Sequence, residues 1–123
     1  MKVMLIDHDK GSRESHRAML AKLGYEDVIE AVDGQDAMSK VFGASPELIV
    51  VEHTMPGMSG LGFVKSYHKR GGEAPILMMD DKADRKKVVE AMKAGVVSFV
   101  LRPVEPDVFA QHILQSLMKR KSA

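Results

Sequence analysis

Short apolar runs alternate with helical patterns along the whole chain. Five runs have the length of a strand, and they cover residues 3–6, 28–32, 48–52, 76–79 and 98–101. Between the first two runs, His16, Met19, Leu20 and Leu23 recur at the spacing of one helix face. The same alternation continues to the end of the chain. It predicts consecutive βα units, and therefore a parallel sheet.

The helices are bounded by glycines and marked by apolar positions. We expect a first helix at about residues 12–23, a short second helix through Ala37, Met38 and Val41, a third from about Gly60 to Gly71, a fourth carrying Val88, Val89 and Met92, and a fifth carrying Phe109, Ile113 and Leu117. Five strands and five helices predict an α/β fold with a doubly wound five-stranded parallel sheet. The flavodoxin-like (βα)5 arrangement with strand order 2-1-3-4-5 fits this pattern best.

The composition limits the classes of protein that this chain represents. Its 123 residues are enough for one domain, so we expect residues 1–123 to fold as a unit. A net charge of +1 gives no basic excess for nucleic acid. No apolar run reaches the length of a membrane span, and the chain has no cysteine for a disulfide framework. These properties favour a cytoplasmic protein that binds neither membrane nor nucleic acid.

Charged residues follow the predicted strands. Asp7, His8 and Asp9 follow the first strand and Glu52 ends the third, while Asp80–Asp81 and Arg102–Pro103 follow the fourth and fifth. In a parallel sheet the carboxyl ends of the strands lie at one edge, where such proteins place their sites. The sequence therefore predicts a pocket formed by several acids and one cation.

In its motifs the chain resembles the receiver domain of two-component response regulators, most closely the single-domain chemotaxis type. The resemblance rests on the order and spacing of four segments, which are Glu30–Ala37, Pro46–Glu52 with Met55–Gly60, Ala94–Gly95 and Arg102–Pro103. It spans essentially the whole chain. It implies a signalling module rather than an enzyme.

The resemblance also assigns roles to the residues at the strand ends. A typical receiver has two acids that hold Mg²⁺, an Asp that accepts a phosphoryl group, a Ser or Thr, and a Lys. On this chain Asp7 matches the first acid and is the one metal-ligand candidate. His8 stands at the second acid, Glu52 at the phosphoacceptor, Asp80 at the Ser/Thr and Arg102 at the Lys. Four of the five positions therefore depart from the pattern that the resemblance implies.

Two further positions take a role from the resemblance. Phe99 falls at the aromatic that changes orientation in the family, and the Arg102–Pro103 bond is expected to be cis. From the residues alone, Phe99 is equally an ordinary buried aromatic.

The four departures all weaken metal-assisted phosphorylation. Mg²⁺ prefers oxygen ligands, whereas His8 offers nitrogen. Glu52 carries its carboxylate about 1 Å further from the backbone, and a misplacement of that size costs about 100-fold in rate. An ionised Asp80 would repel a phosphoryl group and could not donate a hydrogen bond to it. Arg102 suits bidentate pairing with carboxylates, so we expect it between Glu52 and Asp80.

These considerations lead to one main hypothesis and two alternatives. The main hypothesis is an atypical receiver that acts as a phosphorylation-independent protein-interaction module and needs no cofactor, with Mg²⁺ binding weakened by His8 and Glu52. Glu52 would then either mimic a phosphorylated Asp or merely satisfy its neighbours. The alternatives are a working receiver that accepts phosphate on a non-standard carboxylate, and a metal or small-molecule switch at the same pocket.

The resemblance implies protein partners at the face of the fourth helix, fifth strand and fifth helix. A histidine kinase is a candidate partner, and the chain would be a monomer or a weak dimer. The candidate contact residues on this face are Lys87, Lys93, Phe99, Gln111 and Gln115.

Overall fold

Strands and helices alternate without exception in the computed structural model, which describes residues 1–82 and 84–122, with side chains described as far as residue 119. The elements are β1 (Lys2–Ile6), α1 (Lys10–Lys22), β2 (Asp27–Ala31), α2 (Gly34–Ala44), β3 (Leu48–Glu52), α3 (Gly60–Lys69), β4 (Ile76–Asp80), α4 (Arg85–Lys93), β5 (Ser98–Leu101) and α5 (Pro106–Ser122). Within this described part, no helix is long and apolar enough to cross a membrane.

The five strands form one parallel sheet in the order β2-β1-β3-β4-β5. Both the predicted fold class and the predicted strand order are confirmed. The chain leaves β1 in one direction to place β2, and then crosses back to place β3, β4 and β5 on the other side. Strands 1 and 3 are neighbours at this change of direction, which is where such a sheet opens a crevice.

Successive residues of the strands supply two separate cores. Met4, Ile6, Ile49, Val51 and Met78 point toward α2, α3 and α4. The intervening positions, Val3, Leu5, Val50, Leu77 and Met79, join Leu20, Phe109 and Ile113 on the side of α1 and α5. Both faces of the sheet are covered, which explains why the strands read as continuous apolar runs.

Four helices begin at a polar residue that binds their first turn. The side chains of Asp9, Asp33, Ser59 and Asp84 each accept a hydrogen bond from the backbone N–H three residues further on. Asp9 therefore starts α1 at Lys10, two residues before the start expected from its apolar stripe. Asp84, rather than Asp80 or Asp81, caps α4.

The turn between β3 and α3 requires a glycine at position 60. A Cβ at Gly60 would lie 2.1 Å from the carbonyl oxygen of Glu52, which is far inside van der Waals contact. The Gly60 N–H also donates to the His53 carbonyl at 2.9 Å. The start of α3 is thus packed directly against the backbone that carries Glu52.

Candidate functional site at the strand ends

Three buried acids lie at the carboxyl edge of the sheet. Asp7, Glu52 and Asp80 follow or end β1, β3 and β4, and they are only 2%, 3% and 4% exposed. Buried carboxylates need hydrogen bonds or cations as partners. The predicted convergence of the strand ends is confirmed, and the partners of each acid define what the pocket contains.

Asp7 is bound mainly from α1. Its Oδ1 accepts the Asp9 N–H at 2.9 Å, and its Oδ2 accepts the Ser12 hydroxyl at 2.5 Å. Arg102 Nη1 approaches the same Oδ2 at 3.4 Å. The carboxylate of Asp7 is therefore fully engaged by donors of the chain itself. Ser12 was not among the predicted site residues, and only its place in the first turn of the helix that follows Asp7 could have indicated it.

Glu52 is bound by His8 and Arg102. Its Oε2 accepts the backbone N–H of His8 at 2.5 Å and lies 2.6 Å from His8 Nδ1. Its Oε1 lies 3.3 Å from Arg102 Nη2. The Glu52 side chain is 2% exposed, whereas that of His8 is 44% exposed. The imidazole of His8 thus forms part of the pocket wall, with one edge against the buried acid and the rest toward solvent.

Arg102 lies among three acids, but Asp80 is not one of them. Its Nε donates to Asp81 Oδ1 at 2.9 Å, while its two terminal nitrogens face Asp7 and Glu52. The expected position between Glu52 and Asp80 is therefore right for Glu52 and wrong for Asp80. The reason is that Asp80 has a cation of its own.

Asp80 pairs with Lys87 on the first turn of α4. Lys87 Nζ lies 2.7 Å from Asp80 Oδ2, and the two side chains are 28% and 6% exposed. The sequence placed Lys87 among the partner contacts, but its ammonium is bound within the fold. No periodic signal in the sequence distinguishes Lys87 from the exposed Lys86 beside it.

The pKa values of the three acids separate according to these partners. Burial acts to raise the pKa of Asp7, but hydrogen bonds with Glu52, Ser12 and the Asp9 N–H outweigh it and hold the pKa below its usual range. Burial also acts to raise the pKa of Asp80, but the hydrogen bond from Lys87 outweighs burial and lowers it. In Glu52, burial and the neighbouring Asp7 raise the pKa despite the two hydrogen bonds from His8. Glu52 is therefore the acid of the central pair that takes up a proton first.

A cleft of about 510 Å³ opens beside this pocket between α1 and the segment that joins β5 to α5. It is lined on one side by Ser12 and His16 and on the other by Arg102 and Pro103. The Arg102–Pro103 bond is cis, as the resemblance implies. His16 is buried, and its Nδ1 lies 2.8 Å from the Ser12 carbonyl, as expected for a core histidine of α1.

The surface formed by α4 and β5 is more apolar than the sequence suggested. Val89 and Met92 are 40% and 43% exposed, and Leu101 is 52% exposed. The sequence indicated Val88, Val89 and Met92 as the apolar positions of α4, but Ala91 is the buried residue of this helix. Phe99 is half-buried and packs against the core on the α4 side of the sheet.

The other predicted contact residues lie on the helices beside this surface. Lys93, Gln111 and Gln115 are all exposed. Between them, His112 Nδ1 lies 2.6 Å from Ser98 Oγ, and this contact joins α5 to β5.

This fold and site define a doubly wound α/β protein with an acidic pocket at the carboxyl edge of its sheet. The sequence model of one protein family, the response regulator receiver domain, matches residues 3–114. The chain is 33% identical over 116 residues to the chemotaxis protein CheY1 of Helicobacter pylori, covering 92% of this chain and 94% of the relative. It is 30% identical over 105 residues to the chemotaxis protein CheY of Thermotoga maritima, covering 85% and 88%.

Solved structures show the same likeness. The chemotaxis protein CheY4 of Vibrio cholerae superposes with a TM-score of 0.87 at 27% identity, covering 94% of this chain and 97% of that one. The chain belongs to the response regulator receiver domain family, in the CheY-like group of two-component and chemotaxis signalling.

Proposed function

We propose that this receiver domain acts as a protein-interaction module whose state does not depend on phosphorylation. In this proposal Glu52 stands at the phosphoacceptor position, with Asp7, His8, Asp9, Asp80, Arg102 and Pro103 as its pocket. The ion pairs among these residues would keep the pocket permanently in the arrangement that a bound phosphoryl group would produce only transiently.

One observation carries the proposal, namely that every oxygen of the two central carboxylates is already bound by the chain. Asp7 Oδ1 and Oδ2 accept from Asp9, Ser12 and Arg102. Glu52 Oε1 and Oε2 contact Arg102 and His8. A nucleophile must present a free lone pair in line with the phosphorus. Attack from Oε2 would compete with both contacts from His8, and attack from Oε1 would have to reorient a carboxylate that Arg102 holds.

Receiver domains usually bind Mg²⁺ at this acidic site, and the donor set here does not fit that ion. Mg²⁺ takes near-octahedral oxygen ligands and keeps several waters. The oxygens of Asp7 and Glu52 instead face a guanidinium, and the third nearby group is the imidazole of His8. A divalent cation needed for phosphoryl transfer would therefore find the carboxylates of Asp7 and Glu52 already paired with Arg102.

Asp80 supports the same conclusion from the neighbouring strand. A lowered pKa keeps its carboxyl ionised at neutral pH, so it offers no hydrogen-bond donor to an incoming anion. Its pairing with Lys87 also fixes the start of α4 to the end of β4. We infer that α4 is held in one position by a contact internal to the protein.

The proposed binding surface is the exposed part of α4, β5 and α5. It contains the apolar side chains of Val89, Met92 and Leu101, with Phe99 half-buried beneath it. Lys93, Gln111 and Gln115 provide polar groups around it. Exposed apolar groups surrounded by polar ones are typical of surfaces that bind proteins. A histidine kinase and downstream signalling proteins are the partner classes that the family membership favours.

Incubation with acetyl phosphate and Mg²⁺ tests the proposal. We expect no gain of a phosphoryl mass on the native chain by intact mass spectrometry, and unchanged amide hydrogen exchange in α4 and β5. A matched control restores the family pattern with His8→Asp, Glu52→Asp, Asp80→Thr and Arg102→Lys together. This variant should gain one phosphoryl group under the same conditions. A stable mass gain on Glu52 or Asp7 of the native chain would contradict the proposal.

A further inference from the structure

The cleft between α1 and the segment that joins β5 to α5 has the size of a small-molecule site. Its volume of about 510 Å³ lies within the range of roughly 300–1,000 Å³ that such sites occupy. Met19, Pro103 and Val104 supply an apolar wall. Asp7, which the family pattern assigns to the metal, is not among the residues that line the cleft.

A nearly buried histidine also lines this cleft. His16 is 7% exposed, and its ring packs edge-on against Phe109 with the ring centres 6.1 Å apart. Its Nδ1 lies 2.8 Å from the Ser12 carbonyl oxygen. A carbonyl oxygen can only accept, so Nδ1 carries the hydrogen and Nε2 of the neutral ring is an acceptor. Burial lowers the pKa of His16, which keeps the ring neutral at pH 7.

The Nε2 atom of His16 is not used by the fold. Within the described residues, the hydrogen-bond contacts of this ring all involve Nδ1. In the same part of the chain, every fully buried side-chain nitrogen or oxygen has a hydrogen-bond partner. Nε2 is therefore not fully buried, and the opening that it reaches is the cleft that His16 lines. This arrangement selects a ligand that donates a hydrogen bond.

The charges around the cleft favour a cation as that donor. Asp9 and Asp81 line the cleft and are both exposed. Arg102 also lines it, but its three nitrogens already face acids of the protein. An ammonium group would thus meet the acceptor Nε2 and two nearby carboxylates. A ligand carboxylate would meet like charges and the lone pair of Nε2.

We propose that this cleft binds a small organic amine, whose ammonium group donates to His16 Nε2 and whose apolar part packs against Met19, Pro103 and Val104. The cleft recognises a hydrogen-bond donor joined to an apolar group. The inference goes beyond the proposed function and does not depend on it, since it requires neither a phosphoryl group nor a metal ion.

Titration of the isotope-labelled native chain with benzylamine at pH 7.5, followed by amide chemical shifts, tests this inference. Sodium benzoate is the matched control, because it has the same ring but carries an acceptor in place of the donor. We expect benzylamine to shift the amides of residues 12–19 and 104, with a dissociation constant of about 1–10 mM for a ligand of this size. Benzoate should bind at least about 10-fold more weakly. The Nε2 resonance of His16 should also move with benzylamine in a long-range proton–nitrogen spectrum.

A substitution at His16 separates recognition by Nε2 from general attraction to the acids. His16→Phe keeps an aromatic ring against Phe109 but has no acceptor, so it should bind benzylamine about 10-fold more weakly. His53→Phe removes a histidine that does not line the cleft and should leave the affinity unchanged. If His16→Phe is unfolded by circular dichroism, the Nε2 resonance of the native chain decides the question. Equal binding of benzylamine and benzoate, an Nε2 resonance that does not move, or unchanged affinity in folded His16→Phe would each overturn the inference.

Discussion

The central pocket and the end of β4 solve the same problem of a buried acid in different ways. In the pocket one cation, Arg102, serves Asp7, Glu52 and Asp81. At β4, Lys87 serves Asp80 alone. In the pocket, burial and the neighbouring Asp7 raise the pKa of Glu52, whereas at β4 the Lys87 hydrogen bond outweighs burial and lowers the pKa of Asp80. The pocket therefore contains several like charges close together. The β4–α4 contact is a single ion pair between a strand and a helix.

The largest effect is expected from a substitution at Gly60, where the start of α3 packs against the backbone of Glu52. Gly60→Ala places a Cβ 2.1 Å from the Glu52 carbonyl oxygen, so β3 and α3 must move apart. We expect a loss of about 3 kcal/mol in the free energy of unfolding, measured by urea denaturation. Gly43→Ala is the matched control, because its Cβ would meet no atom within 4 Å and Gly43 lies in α2. That variant should gain up to about 1 kcal/mol. Equal effects of the two substitutions would contradict the close packing at Gly60.

The second prediction concerns the ion pair between Asp80 at the end of β4 and Lys87 of α4. Lys87→Met leaves the buried carboxylate of Asp80 without its cation, so the free energy of unfolding should fall by more than it does when an exposed lysine of the same helix is replaced. Hydrogen exchange at the start of α4 should increase more than elsewhere. Lys86→Met removes the same charge from an exposed neighbour on the same helix and should change stability by less than about 0.5 kcal/mol. An equal effect of both would show that the Asp80–Lys87 pair contributes nothing specific.

The third prediction concerns pH and the central pocket. The folded-state pKa of Glu52 lies above the ordinary glutamate value of 4.5, so its contribution to stability is fully present below pH 4.5. That contribution is lost as the pH rises through the raised pKa, at no more than about 1.4 kcal/mol per pH unit. The stability of the native chain relative to Glu52→Gln should therefore fall as the pH rises from about 4 to 8 in urea titrations. A difference that grows with pH would mean that the Arg102 ion pair outweighs burial and the charge of Asp7.

The smallest effect is expected at the outer end of the Arg102 cluster. Asp81 is 74% exposed at its side chain, so water competes with its 2.9 Å contact to Arg102 Nε. Asp81→Asn should cost less than about 0.5 kcal/mol, and 0.5 M NaCl should remove the difference in a thermal melt. A larger, salt-resistant loss would show that Asp81 positions Arg102 within the pocket.

The sequence predicted the scaffold well because the fold depends on many apolar positions at once. The five strand runs, the strand order and the convergence of Asp7, Glu52 and Arg102 were all predicted correctly. The pairing within the pocket was predicted only in part, because it depends on which of two cations reaches each acid. Arg102 was expected between Glu52 and Asp80, and it contacts Glu52, but Asp80 pairs with Lys87 of α4. Single contacts of this kind leave no periodic signal.

The apolar character of the outward face of α4 was not predicted. Val88, Val89 and Met92 were expected as the apolar positions of this helix, and a sequence pattern cannot distinguish a face against the core from one against a partner. Only Ala91 is buried in this short helix. The roles of Glu52 as phosphoacceptor position and Phe99 as switch aromatic remain predictions.

The wide spacing of the pocket along the chain has a consequence for folding rates. Arg102 joins residues 95 and 50 positions away, at Asp7 and Glu52. Contacts that close such long loops form late, because the chain loses much entropy before they are made. Substitutions in the cluster should therefore leave the refolding rate almost unchanged and accelerate unfolding. The charges at the strand ends would then govern how long the native state persists rather than how quickly it is reached.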